Sequence, residues 1–282
     1  MRTAHRLLIA AVLVLAFLIL VKVRLYEIWD QNNVPAYIRS SLGFSLGFDD
    51  DEDPFSHPPL RTVSDKVIVI AKMEREDTDW VAENLPDWQH AIYTVDNPNA
   101  TLHTPANKGH ESMAYLTYII EHYDALPTIM AFIHPRRNGF WAAWHTDTPL
   151  HDNVDSLRKL RTDFVRRNGY ANLRCNWNPG CKLEQRNNAH VTPQIWRELF
   201  AGTEAPGEIG ATCCAQFAVS RERVLRRGRG EYERYRRWVL DTELEDRASG
   251  RVMEYLWHVI FGMETVYCPD EYTCYCDVYG QC

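Results

Sequence analysis

Between residues 66 and 133 the chain alternates short, wholly apolar runs with stretches whose apolar residues recur at helical spacing. Val67-Ile68-Val69-Ile70-Ala71 is one such run and Ile129-Met130-Ala131-Phe132-Ile133 another; both have the composition of strands covered on both faces. A polar turn follows the first run, and residues 80–85 predict a short helix closed by Pro86. His90-Ala91-Ile92-Tyr93-Thr94-Val95-Asp96 predicts a second strand. Met113, Leu116, Ile119 and Ile120 share one face of a helix that opens after the turn Asn107-Lys108-Gly109 and stops at Ala125-Leu126-Pro127. Strand, helix, strand, helix, strand is the order that builds a parallel, right-handed α/β layer.

Beyond Ile133 the chain turns abruptly polar: His134-Pro135-Arg136-Arg137, then Trp141, Trp144, His145 and Asp147. Ligands of open α/β sheets sit outside the carboxyl ends of the strands, so this loop is the first place to look for chemistry. Further on, residues 154–167 predict one amphipathic helix, 169–175 an extended segment and 193–200 a helix. Residues 213–220 predict another buried strand, with Ser220 placed to cap the helix after it. Residues 232–241 and 250–261 predict two more helices before a cysteine-rich tail at 268–282.

The amino-terminal pattern is different. Arg2 and Arg6 precede an uninterrupted apolar run at 7–21, and Lys22 and Arg24 follow it. No small-x-small cleavage site comes next, and Tyr26 and Trp29 suit a membrane interface. The expectation is an uncleaved signal anchor over residues 1–24, a flexible stalk over 25–65 carrying the acidic run 49–53, and a folded domain over 66–282. All eight cysteines (Cys175, Cys181, Cys213, Cys214, Cys268, Cys274, Cys276, Cys282) lie in that domain, an even number that suggests disulfides in an oxidising lumen. Cys175 is expected to pair with Cys181 or another of these, with few left free. The rival, a zinc site on the last four, lacks the usual C-x2–4-C spacing. The chain is thereby expected to be a type II membrane protein of the Golgi or endoplasmic reticulum, its body luminal.

The formal net charge of −7 argues against nucleic acid as a partner. The sequence has no GxGxxG and no GxxxxGK[ST], so neither a dinucleotide fold nor a P-loop has motif support.

Several segments together, NKGHESMAYLTYII, FIHPRR with the later WH, GYANLRC, CCAQFAVSRE and SGRVMEYLWHVIFG followed by the CP…CYC tail, resemble the domain of unknown function 3431 family, common in fungi. The resemblance covers about residue 66 to the carboxyl end. The layout also resembles a GT-A glycosyltransferase, which implies a Rossmann-like mixed sheet flanked by helices, followed here by a disulfide-rich carboxyl-terminal part. Metal-dependent GT-A enzymes carry Asp-x-Asp after the third strand to hold a divalent cation on the donor diphosphate. Ile133-His134-Pro135-Arg136 stands there in this chain. Whether Mn²⁺ or Mg²⁺ takes part therefore stays open, and Arg136 and Arg137 become the charge partners expected for phosphate.

Glu254 and His258, four apart, are expected on one helix face, with Glu254 a candidate base for an acceptor hydroxyl; the bland alternative is a buried helix whose Glu and His pair with each other or with an arginine. His134 and His145 are candidates for metal binding, phosphate binding or proton transfer, His145 in a catalytic role, against a structural role for each. Trp141 and Trp144 offer stacking surfaces, or core packing. Asp96 is expected at the nucleotide, with Asn107, Lys108 and Glu111 lining the same pocket and Gln216 and Arg221 reaching it from the later strand. The first functional expectation is a luminal transferase moving a sugar from a nucleotide donor to a hydroxyl acceptor. The alternatives are an enzyme on the same fold transferring another activated group, such as an aminoacyl-tRNA-dependent cyclodipeptide synthase, and a non-catalytic degenerate transferase.

Overall fold

The computed structural model describes residues 2–32, 34, 65–141, 143–148, 150–187 and 189–282, and the structural statements below concern those residues. The expected stalk falls largely on residues outside them. Helix α1 (Arg2–Gln31) continues past the expected anchor boundary at residue 24. Its side chains from Val12 to Trp29 are exposed. Among the described residues no helix is long and apolar enough to cross a membrane. The apolar run within α1 spans residues 7–21, short of the about 20 residues that a span requires.

The first half of the domain follows the expected order: β1 (Lys66–Lys72), α2 (Asp79–Asn84), β2 (Gln89–Thr94), α3 (Ser112–Glu121) and β3 (Ile129–Ile133). β1 pairs in parallel with β2 on one side and with β3 on the other. α3 is buried on every side from Ser112 to Ile120, not only along the predicted face. The helix expected over 154–167 is two, α4 (Asn153–Lys159) and α5 (Thr162–Asn168), because Leu160 turns extended and Arg161 gives its N–H to the Val278 carbonyl. A short strand β4 (Tyr170–Asn172) and helix α6 (Pro193–Leu199) follow.

The second half closes the sheet with reversed direction. After β5 (Gly210–Ala211) comes β6 (Phe217–Ser220), antiparallel to β3 and to β4, giving the order β2-β1-β3-β6-β4. The predicted strand at 213–220 therefore starts four residues late, since Cys214 and Ala215 sit at positive φ, where a strand cannot run. Ser220 caps α7 (Arg221–Val224), its Oγ accepting from the Arg223 N–H. α8 (Arg229–Asp241) and α9 (Asp246–Glu254) precede α10 (Trp257–Ile260), and β7 (Val266–Tyr267) pairs with β5 before α11 (Glu271–Tyr279).

Alternation along the strands splits the core in two. Val67, Val69, Met130, Phe132, Phe217 and Val219 face one layer with α3, α8 and α9, while Ile68, Ile70, Ala131, Ile133 and Ala218 face α2, α4 and α11. All eight cysteines are bridged: Cys175–Cys274, Cys181–Cys268, Cys213–Cys214 and Cys276–Cys282. The short loop closure Cys175–Cys181 does not form; each of those cysteines instead holds the carboxyl-terminal tail.

Candidate functional site

β2 lies on one side of β1 and β3 on the other, so the chain reverses its lateral direction at β1, and a crevice opens beyond the carboxyl ends of β1 and β3. Two adjoining lobes fill it. The larger, about 630 Å³, is lined by His110, Glu111, His134, Trp144, His145, Glu254 and neighbours. The smaller, about 410 Å³, lies against Ala71, Lys72, Val95, Asn107 and Arg136 at the ends of the three parallel strands. His110, Glu111, His134, His145 and Asp246 line both, so the lobes share one wall.

That wall is a line of titratable groups. His134 Nδ1 lies 3.0 Å from His145 Nδ1, and His134 Nε2 lies 3.9 Å from a Glu111 carboxylate oxygen without making a hydrogen bond. Gln216 holds the strand end in place: its carbonyl oxygen accepts the His134 N–H at 2.8 Å and its amide donates to Thr146. Burial pulls His134 down to about 4, helped by the charge of His110. Burial also pulls His145 down to about 2, with His134 and Arg174 adding to it. Both rings are thus neutral near pH 7. Burial pushes Glu111 up to about 8, reinforced by the charge of Glu254.

Glu254 closes the larger lobe. One carboxylate oxygen accepts the Cys214 N–H and the other an Arg251 guanidinium N–H, both at 2.7 Å. Burial raises its pKa, and Arg251 and the Cys214 N–H oppose the rise. Trp144 packs beside His145 with ring centroids 4.2 Å apart, and the Arg174 guanidinium lies 5.3 Å over the Trp144 ring. Arg174 is buried and donates to the Trp144, Asn178 and Gln31 carbonyls, which brings the end of α1 to the rim of this lobe. Gly250 makes the close packing possible: a Cβ there would meet His110 Cδ2 at 2.6 Å.

The structure therefore gathers Glu254, His145, His134, Glu111, Trp144, Asn107 and Arg136 into one crevice, and it sends other expected residues elsewhere. His258 is not on the Glu254 face. The helix expected over 250–261 breaks at Tyr255 and Leu256 into α9 and α10, and His258 is buried with Nε2 on the Thr265 carbonyl. Lys108 caps the carboxyl end of α8, donating to the Leu240 and Thr242 carbonyls. Asp96 accepts the Glu74 N–H and braces the loop after β1. Arg137 sits 3.6 Å from Asp152 at the start of α4. Arg221 is at the wrong end of the sheet. Because β6 is antiparallel to β3, Ser220 lies opposite Ile129, and Arg221 reaches the Leu126 carbonyl beside a separate hollow lined by Asp65 and His122. Gln216, at the other end of β6, is near the crevice but supports His134 instead of lining either lobe. Trp141 is 72% exposed and pairs with Phe140.

His110 and the Cys213–Cys214 pair were not anticipated, and an arginine partner for Glu254 was expected only without its position. Arg251 stands three residues before Glu254 on a helix, the spacing at which such pairs meet. The adjacent cysteines were legible as a dipeptide, but not as a turn in the wall of a cavity.

A sequence model described as Protein of unknown function (DUF3431) matches residues 68–277. No curated protein and no solved structure matches the chain.

Proposed function

This chain belongs to the DUF3431 family, and from the contents of its crevice we propose that it is a transferase moving a glycosyl group from a nucleotide-diphosphate donor to a hydroxyl acceptor. The observation that carries the reading is the line Glu111, His134, His145 on the wall shared by both lobes. The Glu111 carboxyl, poised near neutrality, can in its ionised form take a proton from a hydroxyl in one lobe as a bond to the donor breaks in the other, with the neutral imidazole pair as hydrogen-bonding neighbours. In this reading the smaller lobe takes the donor. It lies beyond the parallel strands, and Arg136, half-exposed and 3.4 Å from Glu76, supplies charge for a diphosphate. The larger lobe takes the acceptor, with Trp144 as a stacking surface and Glu254 as a second carboxylate near the hydroxyl.

The donor set fits Mn²⁺ or Mg²⁺ poorly. These hard cations want several carboxylate oxygens. His134, not a carboxylate, stands at the end of β3. Among the described residues the one grouping of three ligand side chains is Cys213, Cys214 and Glu254, and its two sulfurs are bonded to each other. Arginine is accordingly assigned the charge neutralisation, and no step runs through a metal.

The exposed apolar side chains of α1, Leu13, Phe17 and Leu20 among them, are assigned to anchoring the protein at a secretory-pathway membrane, with the disulfide-bridged domain on the luminal side. A thermal-shift screen of the full-length chain in detergent against nucleotide sugars, with and without Mn²⁺, tests the transferase reading. The expected result is a rise in melting temperature with one class of nucleotide diphosphate sugar that does not need Mn²⁺. No rise with any donor would overturn it.

A further inference from the structure

One wall of the larger lobe is a pair of adjacent cysteines that the proposed transfer does not use. Cys213 and Cys214 are bonded to each other, are 5% and 6% exposed, and line the cavity of about 630 Å³ together with Glu254 and His134. Their sulfurs and a Glu254 carboxylate oxygen all lie within 4.8 Å of one another. The other three bridges join residues at least six positions apart and belong to no such grouping among the described residues. The backbone is unusual at the same place: φ is 94° at Cys214 and 50° at Ala215, in the left-handed region that non-glycine residues rarely occupy outside sites where the surroundings enforce it. His134, whose ring meets His145 and the Cys214 backbone, lines the same cavity.

We propose that reduction of Cys213–Cys214 converts this wall into a binding site for a soft divalent cation, Zn²⁺ or Cd²⁺, held by the two thiolates and the Glu254 carboxylate. The reductant is a dithiol that enters through the crevice. One of its thiolates attacks a cysteine sulfur, forming a mixed disulfide and expelling the other cysteine as thiolate. Its second thiol then closes a ring, expels the remaining cysteine sulfur and leaves as a cyclic disulfide, two electrons having passed to the protein. Cation binding releases to solvent the protons still held by the two thiols. Thiolate donors select Zn²⁺ and Cd²⁺ over the hard cations that a sugar-nucleotide site would use. Two thiolates and a carboxylate bring three negative charges against two positive ones, and Arg251, already on Glu254, balances the excess. The oxidised pair offers no thiolate, so uptake is conditional on reduction. The inference stands apart from the transferase reading, since it asks only what the wall binds.

The test uses the full-length chain in detergent, reduced with dithiothreitol, desalted without oxygen and titrated with Cd²⁺. The ultraviolet thiolate-to-cadmium band and bound cadmium by mass spectrometry are read together. One equivalent per chain is expected after reduction and none before, with uptake lost in Cys213→Ser/Cys214→Ser and about tenfold weaker or more in Glu254→Gln. Absence of uptake by reduced protein whose Cys213 and Cys214 both alkylate overturns the proposal, as does equal uptake by the double serine variant. Should that variant fail to fold, protection of Cys213 and Cys214 from alkylation by Cd²⁺ in the wild-type chain gives the same answer. Unprotected thiols at saturating cation overturn it.

Discussion

His134 and His145 meet nitrogen to nitrogen, Nδ1 to Nδ1 at 3.0 Å, so one ring donates and the other accepts. The two imidazoles therefore hold opposite tautomers, and protonating the acceptor removes the bond. Both have folded-state pKa values, about 4 and about 2, below the ordinary 6.5. Their contribution to stability is complete above pH 6.5 and is lost as pH falls toward the folded values. The melting temperature of the wild type should fall more steeply between about pH 6.5 and pH 4 than that of His134→Gln/His145→Gln. Parallel curves would mean that the pair titrates normally.

Glu254→Gln keeps the shape of the side chain and an acceptor for the Cys214 N–H while removing the charge beside Arg251. If the protein is the proposed transferase, turnover should fall by about 10²–10⁴, the usual worth of a positioned acid or base. The melting temperature should move little by comparison. A folded variant with full turnover would confine Glu254 to a structural role.

Glu111 has the opposite pH signature. Its carboxyl rises from an ordinary 4.5 to about 8 on folding, so the folded state keeps a proton that the unfolded chain gives up. That stabilisation is present below about pH 4.5 and lost as pH climbs through about 8. Glu111→Gln stays neutral throughout, so its melting temperature should gain on the wild type from pH 5 to about pH 8 and level off above it. A constant difference across that range would place the Glu111 carboxyl in ordinary solvent.

The parallel half of the sheet was legible because Val67, Ile68, Val69 and Ile70, and again residues 129–133, are short, β-branched-rich apolar runs bounded by polar turns, the pattern of a strand covered on both faces. The crevice was legible for the same reason: it lies where those runs end. What the pattern does not contain is the direction of a later strand. Nothing in Phe217-Ala218-Val219-Ser220 says whether it runs with β3 or against it, and that choice alone puts Gln216 at the site and Arg221 at the far edge. The break that removes His258 from Glu254 is likewise invisible, because Tyr255, Leu256 and Trp257 are acceptable in a continuous helix; what turns His258 inward is the Thr265 carbonyl, seven residues on. Lys108 is a case of competition: the carbonyls at the end of α8 claimed a cation that the sequence offered to the pocket.

The bridges allow a chemical count. Alkylation of the folded, unreduced chain should label no cysteine, and replacing Cys175 and Cys274 together by serine should cost about 2–5 kcal/mol, read from denaturant unfolding. Labelling of Cys175 or Cys181 in the native protein would contradict the pairing.

The same connectivity imposes an order in time. Cys175 waits 99 residues for Cys274, and Cys181 waits 87 for Cys268, whereas Cys213 finds its partner in the next residue translated. A ribosome that has finished the sheet has therefore made a chain with two unclaimed thiols and one pair able to close at once. An early stop anywhere in residues 215–267 would leave Cys175 and Cys181 without their native partners and free to find each other, a seven-residue loop that the finished protein never contains. Such a chain would present a reactive dithiol before it presented a misfolded domain.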